Sequence, residues 1–308
     1  MKSKRLFPPA SFTIHTPPRF NLWASVYSHG WCALPPFSIN KEERTLRLVV
    51  PDGHNGMHHV TLREAKGKIT YSLEDEINVS PERIAGISAS ISSVLRLDES
   101  LDSFYAEAKR YPRYRWVVHR GAGRLLRCPS VFEDVVKMIC TTNCSWALTE
   151  IMVNAFVTKL GERVREGVKT FPSPEAIASC SEGYLRKEIR CGYRAPYLLE
   201  LSRKIANGAL EIEQWRTSEL SAEELFANVR TVKGVGEYAA GNILKLLGRY
   251  DYLGLDSWAR TKFYEIFGKG RTVKDSSIVK HYAPFGKWRG LFMWMDMTKD
   301  WYTKEHPF

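Results

Sequence analysis

Between Phe12 and about Leu73, apolar and polar positions alternate over short runs. Phe12–His15, Trp23–Val26, Leu46–Val50 and Ile69–Ser72 are β-branched or aromatic segments separated by Pro, Gly and Asn turns, which predicts short strands. Pro35-Pro36 and Pro51-Asp52-Gly53 punctuate this region. From Ser80 the period lengthens. Ser80-Pro81-Glu82-Arg83 sets a cap residue before a proline at the first helical position, and most of the remaining chain has helical spacing. Val131, Val135, Met138 and Ile139 form one apolar stripe; Leu148, Ile151, Met152, Ala155 and Leu160 form the next. Ser173-Pro174-Glu175 and Ser221-Ala222-Glu223-Glu224 open two further helices, the second with a capping box. There is no internal repeat and no low-complexity tract. The expected fold is α+β: a small antiparallel β-rich N-terminal domain over residues 1–80, then a mainly helical body over residues 81–308.

Composition narrows the class. The 308 residues suffice for about two domains, and 44% hydrophobic against 26% charged residues excludes wholesale disorder. No apolar run approaches the ~18 residues of a membrane span. The start, MKSKRLFPPASF, is basic but lacks the apolar stretch of a secretory signal. The absence of acids before Glu42 leaves an organelle transit peptide open, against which its prolines argue. Lysine plus arginine is 45 against 34 acids, a formal charge of +11, which favours a polyanionic partner. Cys32, Cys128, Cys140, Cys144, Cys180 and Cys191 include no CxxC pair, no second pair to complete a zinc site, and no C-terminal cluster for an iron–sulfur centre. They read as buried or free thiols in a reducing compartment. His54, His58 and His59, within PDGHNGMHH, read as solvated loop histidines.

The informative segment is TVKGVGEYAAGNILKLLGRYDYLGLDSWAR, Thr231 to Arg260. Val232-Lys233-Gly234-Val235-Gly236 lies between two expected helices. Two glycines let the backbone turn tightly and bring amides close to a ligand. The next helix begins at once, so its unpaired N–H groups and positive dipole end face the same spot, a geometry that binds phosphate. A plain helix–helix turn is the alternative. Ala239-Ala240-Gly241 permits close helix packing. Downstream, Asp256 before Ser-Trp-Ala-Arg has the form of a helix N-cap. A carboxylate fixed in direction this way can also stabilise a developing oxocarbenium cation or orient attacking water.

VKGVGEYAAGNIL, followed eighteen residues after Tyr238 by Asp256, resembles the helix-hairpin-helix (HhH-GPD) DNA glycosylase superfamily, with the motif at residues 224–247. Ile139-Cys140-Thr141-Thr142-Asn143 is similar to the helix junction that presents a polar side chain into the space left by an extruded nucleotide. Leu185-Arg186-Lys187 with Cys191-Gly192-Tyr193-Arg194-Ala195 is similar to the 8-oxoguanine branch segment bearing a wedging tyrosine and an arginine for the estranged base. Trp288-Arg289-Gly290-Leu291 through Trp301 looks more like the alkyl-purine (3-methyladenine) branch. The resemblance covers residues 80–308, and the β-rich start is consistent with both two-domain branches.

The resemblance implies base-excision repair: a damaged purine, alkylated or oxidised, is flipped out of duplex DNA and its N-glycosidic bond is cleaved. Asp256 is then the catalytic carboxylate, Lys233, Gly234, Val235 and Gly236 grip DNA, Asn143 and Tyr193 plug the duplex, and Arg194 meets the estranged base. Asn143 as a helix cap and Tyr193 as an ordinary aromatic are the alternatives. Tyr238 and Trp258 line the base pocket, Trp258 alternatively being a core aromatic. Members that also cut the backbone carry a lysine where this chain has Tyr238, and a phenol cannot form a Schiff base. The expected enzyme is therefore monofunctional, with Lys233, in the place of a usual proline, as a phosphate contact or displaced amine. Leu148 replaces an arginine that contacts cytosine in the 8-oxoguanine branch. Lys233, Lys245, Arg260 and Lys262 are expected along the groove. No cofactor is required; Na+ or K+ on the Val232 and Val235 carbonyls is implied by the family. The partner is double-stranded DNA, the protein a monomer, intracellular and with DNA. A glycosylase/lyase, a non-catalytic DNA-binding module and a basic helical protein with a chance turn are the competing readings.

Overall fold

The computed structural model describes residues 10–65, 67–73 and 79–305. The first nine residues, and with them the reading of a leader, lie outside the described residues. Strands β1 (Ser11–His15), β2 (Ser38–Asn40), β3 (Thr45–Pro51), β4 (Met57–Ala65) and β5 (Lys68–Leu73) form an antiparallel sheet in the order β1-β5-β4-β3-β2. Leu46 pairs with Leu62, Leu62 with Tyr71 and Val60 with Leu73. That register gathers these residues on one buried face.

Two expectations fail in this region. Trp23–Val26 is not a strand but most of helix α1 (Leu22–Val26), because the Asn21 side chain accepts the N–H groups of Trp23 and Ala24 at 3.0 Å each. The histidine-rich stretch is not a solvated loop. It runs into β4, where His58 is buried and its ring shares a 3.0 Å hydrogen bond with the Asp52 carboxylate; only His54 stays exposed in the turn. Asp52 also accepts the N–H groups of His54 and Gly56 at 2.8 Å and faces Arg83 at 3.2 Å. The β3–β4 turn is thereby fastened to the helical body.

That body contains α2 (Pro81–Leu95), α3 (Asp102–Lys109), α4 (Arg115–Arg120), α5 (Val131–Thr141) and α6 (Trp146–Leu160). After a small hairpin of β6 (Arg163–Arg165) and β7 (Val168–Lys169) come α7 (Pro174–Ala178), α8 (Glu182–Lys187) and α9 (Ala195–Ala206). The chain then forms α10 (Ala222–Arg230), α11 (Glu237–Leu246), α12 (Ser257–Ile266), α13 (Asp275–Tyr282) and α14 (Arg289–Asp300). Ser80, Ser173 and Ser221 each cap a helix as their sequence context predicts, and Ser221 with Glu224 completes the capping box. The α5 stripe is fully buried. On α6 the buried face runs instead through Thr149, Met152, Val153, Phe156 and Val157, because the Phe156 ring turns inward and leaves Ile151 at the surface. One hydrophobic cluster extends from the sheet through α14. The six cysteines are free thiols. Among the described residues, no helix is long and apolar enough to cross a membrane.

Two contacts fix how the parts meet. Arg96, in the left-handed conformation that ends α2 (φ 56°), is buried and donates to the Lys245 and Leu246 carbonyls at 2.8 and 3.1 Å. It brings a charged donor to the last carbonyls of α11, while Glu99 pairs with it at 2.7 Å. On α2, Gly86 lies against the backbone of Asp52: a Cβ there would stand 1.8 Å from the Asp52 carbonyl oxygen. Helix propensity alone favours alanine over glycine by roughly 1 kcal/mol. Gly86→Ala is nevertheless expected to lower stability by roughly 1–3 kcal/mol, since the backbone must shift to admit a methyl group. Urea unfolding checks this, and an unchanged or raised midpoint contradicts it.

Candidate active site

The glycine-rich turn joins α10 to α11. Gly234 has φ 85°, and a Cβ on it would stand 2.8 Å from the Tyr197 ring of α9, so both conformation and packing call for glycine. Gly236 is the N-cap of α11 and has open space where a side chain would be. The Val235 N–H donates to the Val232 carbonyl at 3.0 Å, so one of the two carbonyls expected to hold a cation already serves the turn. Lys233 is exposed and pairs with Glu200 at 2.6 Å.

The small residues of α11 act as expected. A Cβ on Gly241 would stand 2.8 Å from the Gly254 Cα, so the loop leading to Asp256 lies directly on the helix. Side chains fasten it there. Asn242 Nδ2 donates to the Tyr238 and Gly254 carbonyls at 2.9 and 3.2 Å, and Lys245 Nζ donates to the Leu253 carbonyl at 2.5 Å and Asn242 Oδ1 at 3.0 Å. Asp256 then caps α12, its Oδ1 accepting the Ala259 N–H at 2.7 Å.

Asp256 lines a cavity of about 920 Å³ together with Tyr238, Trp258, Asn242 and Lys245. Tyr238, Asn242 and Lys245 are spaced i, i+4, i+7, one face of α11. Trp258 packs against Trp294 and Trp301 with ring centroids 5.9 and 5.7 Å apart. The facing wall comes from the N-terminal segment, where His29 and Trp31 meet edge to face. Trp31 Nε1 donates to Asp134 on α5 at 2.8 Å, the His29 ring nitrogen donates to the Leu126 carbonyl at 2.5 Å, and Trp294 Nε1 donates to the Ser28 carbonyl at 2.8 Å. Trp146, 41% exposed, lies over Gly30, where a Cβ would stand 2.3 Å from its ring.

The structure brings Asn143 and Tyr193 together. Asn143, in the turn after α5 at φ 48°, donates to the Tyr193 hydroxyl at 3.5 Å, and that hydroxyl donates to the Thr142 carbonyl at 3.3 Å. Arg194 departs from expectation. It is 3% exposed, and its guanidinium donates to the Ile139 and Thr142 carbonyls, so it braces the Asn143 turn from beneath instead of reaching outward. Lys245 departs too: it is on the cavity floor, not along a surface groove. Arg260 and Lys262 are at the surface, paired with Asp275 and Glu265. Asn242 and Lys245 are legible in the sequence as polar positions on the Tyr238 face of the helix. His29, Trp31 and Trp146 carry no local signal, because the tertiary fold alone brings them there.

Residues 136–282 match the family model of HhH-GPD superfamily base excision DNA repair proteins. That segment is an HhH-GPD domain. It contains the hairpin, Asn143, Tyr193 and Asp256, while His29, Trp31, Trp294 and Trp301 stand outside the matched segment. A Bacillus subtilis (strain 168) protein with the provisional name DNA-3-methyladenine glycosylase YfjP is 24% identical over 171 residues, 54% of this chain and 58% of that protein. The chain thus spans little more than half the length of the curated relatives it matches. The fold around the HhH-GPD domain extends further. The 3-methyladenine DNA glycosylase from Archaeoglobus fulgidus superposes with a TM-score of 0.73 at 19% identity, covering 93% of this chain and 98% of that one. The Clostridium acetobutylicum 8-oxoguanine glycosylase/lyase in its apo-form also gives 0.73 at 19%, covering 93% and 95%.

The wall outside the HhH-GPD domain makes a pH prediction. Burial pushes the His29 imidazole from its ordinary 6.5 down to about 4. Between these values the unfolded chain binds a proton that the folded chain refuses, so this residue's contribution is complete above pH 6.5 and is lost as pH falls toward 4. The drop in melting temperature between pH 7 and pH 4.5 is expected to be smaller in His29→Gln than in the parent protein. Equal drops contradict the assignment.

Proposed function

We propose that this protein is a DNA glycosylase that admits a damaged purine, swung out of duplex DNA, into the cavity and hydrolyses its N-glycosidic bond with Asp256 as the catalytic carboxylate. One observation carries the reading: a carboxylate held in direction by a helix N-terminus lines an aromatic-walled cavity of about 920 Å³. The HhH-GPD domain and its hairpin beside that cavity support a DNA substrate. The Asp256 carboxylate stabilises the oxocarbenium-like centre at C1′ and takes up the proton of the attacking water. Tyr238 stands on the helix face turned to the cavity, and burial pushes its phenol up, so it supplies no amine for a covalent sugar adduct. Hydrolysis by a monofunctional enzyme is the reading this favours, the Lys245 amine on the cavity floor being held by the Leu253 carbonyl and Asn242 Oδ1.

Asn143, in the turn between the lining residues Thr141 and Cys144, and Tyr193, hydrogen-bonded to it, are the pair that fills the vacated duplex position. The turn from Lys233 to Gly236 follows the backbone phosphates through amides, and a monovalent cation, where bound, uses the Val235 carbonyl first. A single copy suffices, no cofactor is consumed, and the enzyme works inside the cell, where its DNA is.

The test is a panel of duplexes each carrying one modified base, scored for released base before and after alkali. The parent protein is expected to release at least one modified purine without cutting the strand. Asp256→Asn is expected to lower that release by at least about 10³-fold with duplex affinity retained. Borohydride is expected to trap no protein–DNA adduct. Undiminished release by Asp256→Asn overturns the catalytic assignment, and any trapped adduct overturns the hydrolytic one, its loss in Lys233→Ala or in Lys245→Met naming the amine.

A further inference from the structure

We infer that Lys245 is a second catalytic group, one that donates a proton to the departing base and makes the enzyme competent on neutral purines. The inference rests on the glycosylase reading of Asp256 and adds a substrate class to it. Three features of the cavity floor carry it.

First, the placement is built. Lys245 is 2% exposed, yet its side chain lines the same cavity as Asp256. Two glycines make room for it: a Cβ on Gly254 would stand 3.1 Å from Nζ, and one on Gly290 3.2 Å from Cε. Second, its hydrogen bonds leave a donor over. An ammonium has three N–H groups. The Leu253 carbonyl and Asn242 Oδ1 take two, both on the helix-and-loop side of the cavity. The third is left for an acceptor on a bound base. Third, the amine is not neutralised in place. Among the described residues it makes no ion pair, and both of its partners are uncharged amide oxygens, an expensive setting for a buried cation. Burial accordingly brings it down to about 7, against the pull of the Asp256 charge, and a donor titrating there gives up its proton readily at neutral pH.

The chemistry assigns the proton its use. When the C1′–N bond of a neutral purine breaks, its electron pair stays on the base, which leaves as an anion unless protonated. Lys245 supplies that proton to a ring nitrogen or carbonyl oxygen and becomes a neutral amine. Water forms the new C1′–O bond and passes its proton to Asp256. Transfer from the protonated Asp256 back to the amine, directly or through water, restores both groups, and the net change is base–sugar plus water to free base plus sugar. A cationic alkylated purine already leaves as a neutral molecule. It gains nothing from Lys245, while the aromatic walls attract it equally well.

The test compares release of hypoxanthine and 8-oxoguanine with release of 7-methylguanine from duplex DNA under single-turnover conditions. The proteins are the full chain, Lys245→Met and Lys245→Gln. The parent is expected to release at least one of the neutral bases. Each variant is expected to lose about 10²-fold or more of that release beyond whatever loss it shows on 7-methylguanine, which reads the loop contact that Lys245 also makes. Lys245→Gln keeps a donor for the Leu253 carbonyl but has no proton to give, so its agreement with Lys245→Met supports proton transfer over packing. Equal loss on both kinds of base, or no loss, overturns the proposal, as does a parent protein that releases only 7-methylguanine. In each of those cases the glycosylase reading stands. A parent protein that releases no base from any duplex overturns that reading itself.

Discussion

The site depends on one close approach of backbone to backbone. Where Gly241 of α11 meets Gly254, no side chain intervenes, and the loop carrying Asp256 lies flat on the helix that begins at the hairpin. A Cβ at Gly241 would push the loop away by about the width of a methyl group, and a reacting group displaced by an ångström loses much of its effect. Asn242 and Lys245 hold the contact from its sides, and Arg96 secures the far end of the same helix. The glycine-rich turn and the carboxylate thus share a single rigid element. The distance between them is a property of α11, not of a flexible connection.

The cavity around that element has a mixed character that bears on its use. Its walls are indole and phenol rings, which bind any flat base and discriminate little among them. Its polar lining comes from Asn242 and Lys245 on one helix face, from Asp256 at one side, and from Ser38, Lys41, Thr141 and Thr149 on other elements. Specificity in such a chamber comes from unsatisfied hydrogen-bonding capacity more than from shape, because a group left unpaired in a dry site costs more than a slightly loose ring contact.

Much of this is legible along the chain, for physical reasons that can be named. The hairpin can be read because glycine at φ 85° and a helix start immediately after it leave few alternatives. Asp256 can be read because capping is a local interaction within four residues. The strands β1 and β5 alternate cleanly and β3 is a short apolar run, whereas β4 begins with the histidines of a stretch that reads as a loop and is paired on both sides. α1 reads as a strand because bulky aromatic and β-branched residues favour strands until a single asparagine side chain captures two amides. The helix face of Lys245 can be read, but its burial, like that of Arg194, escapes a sequence reading for a common reason. A long cationic side chain looks the same in sequence whether it ends in water or against carbonyl oxygens, and burial is decided by elements far away in the chain. The His29–Trp31 wall is invisible for the same reason.

That wall has a bearing on how the molecule can be taken apart. His29 is tied to Leu126, Trp31 to Asp134 and Ser28 to Trp294, so a tetrapeptide near the start of the chain is stitched to three elements of the body. A fragment trimmed to residues 136–282 keeps the hairpin and Asp256 but forfeits two sides of the chamber, uncovering Met138 and the Trp258 ring to solvent. The carboxylate and much of its enclosure therefore reside in different stretches of sequence.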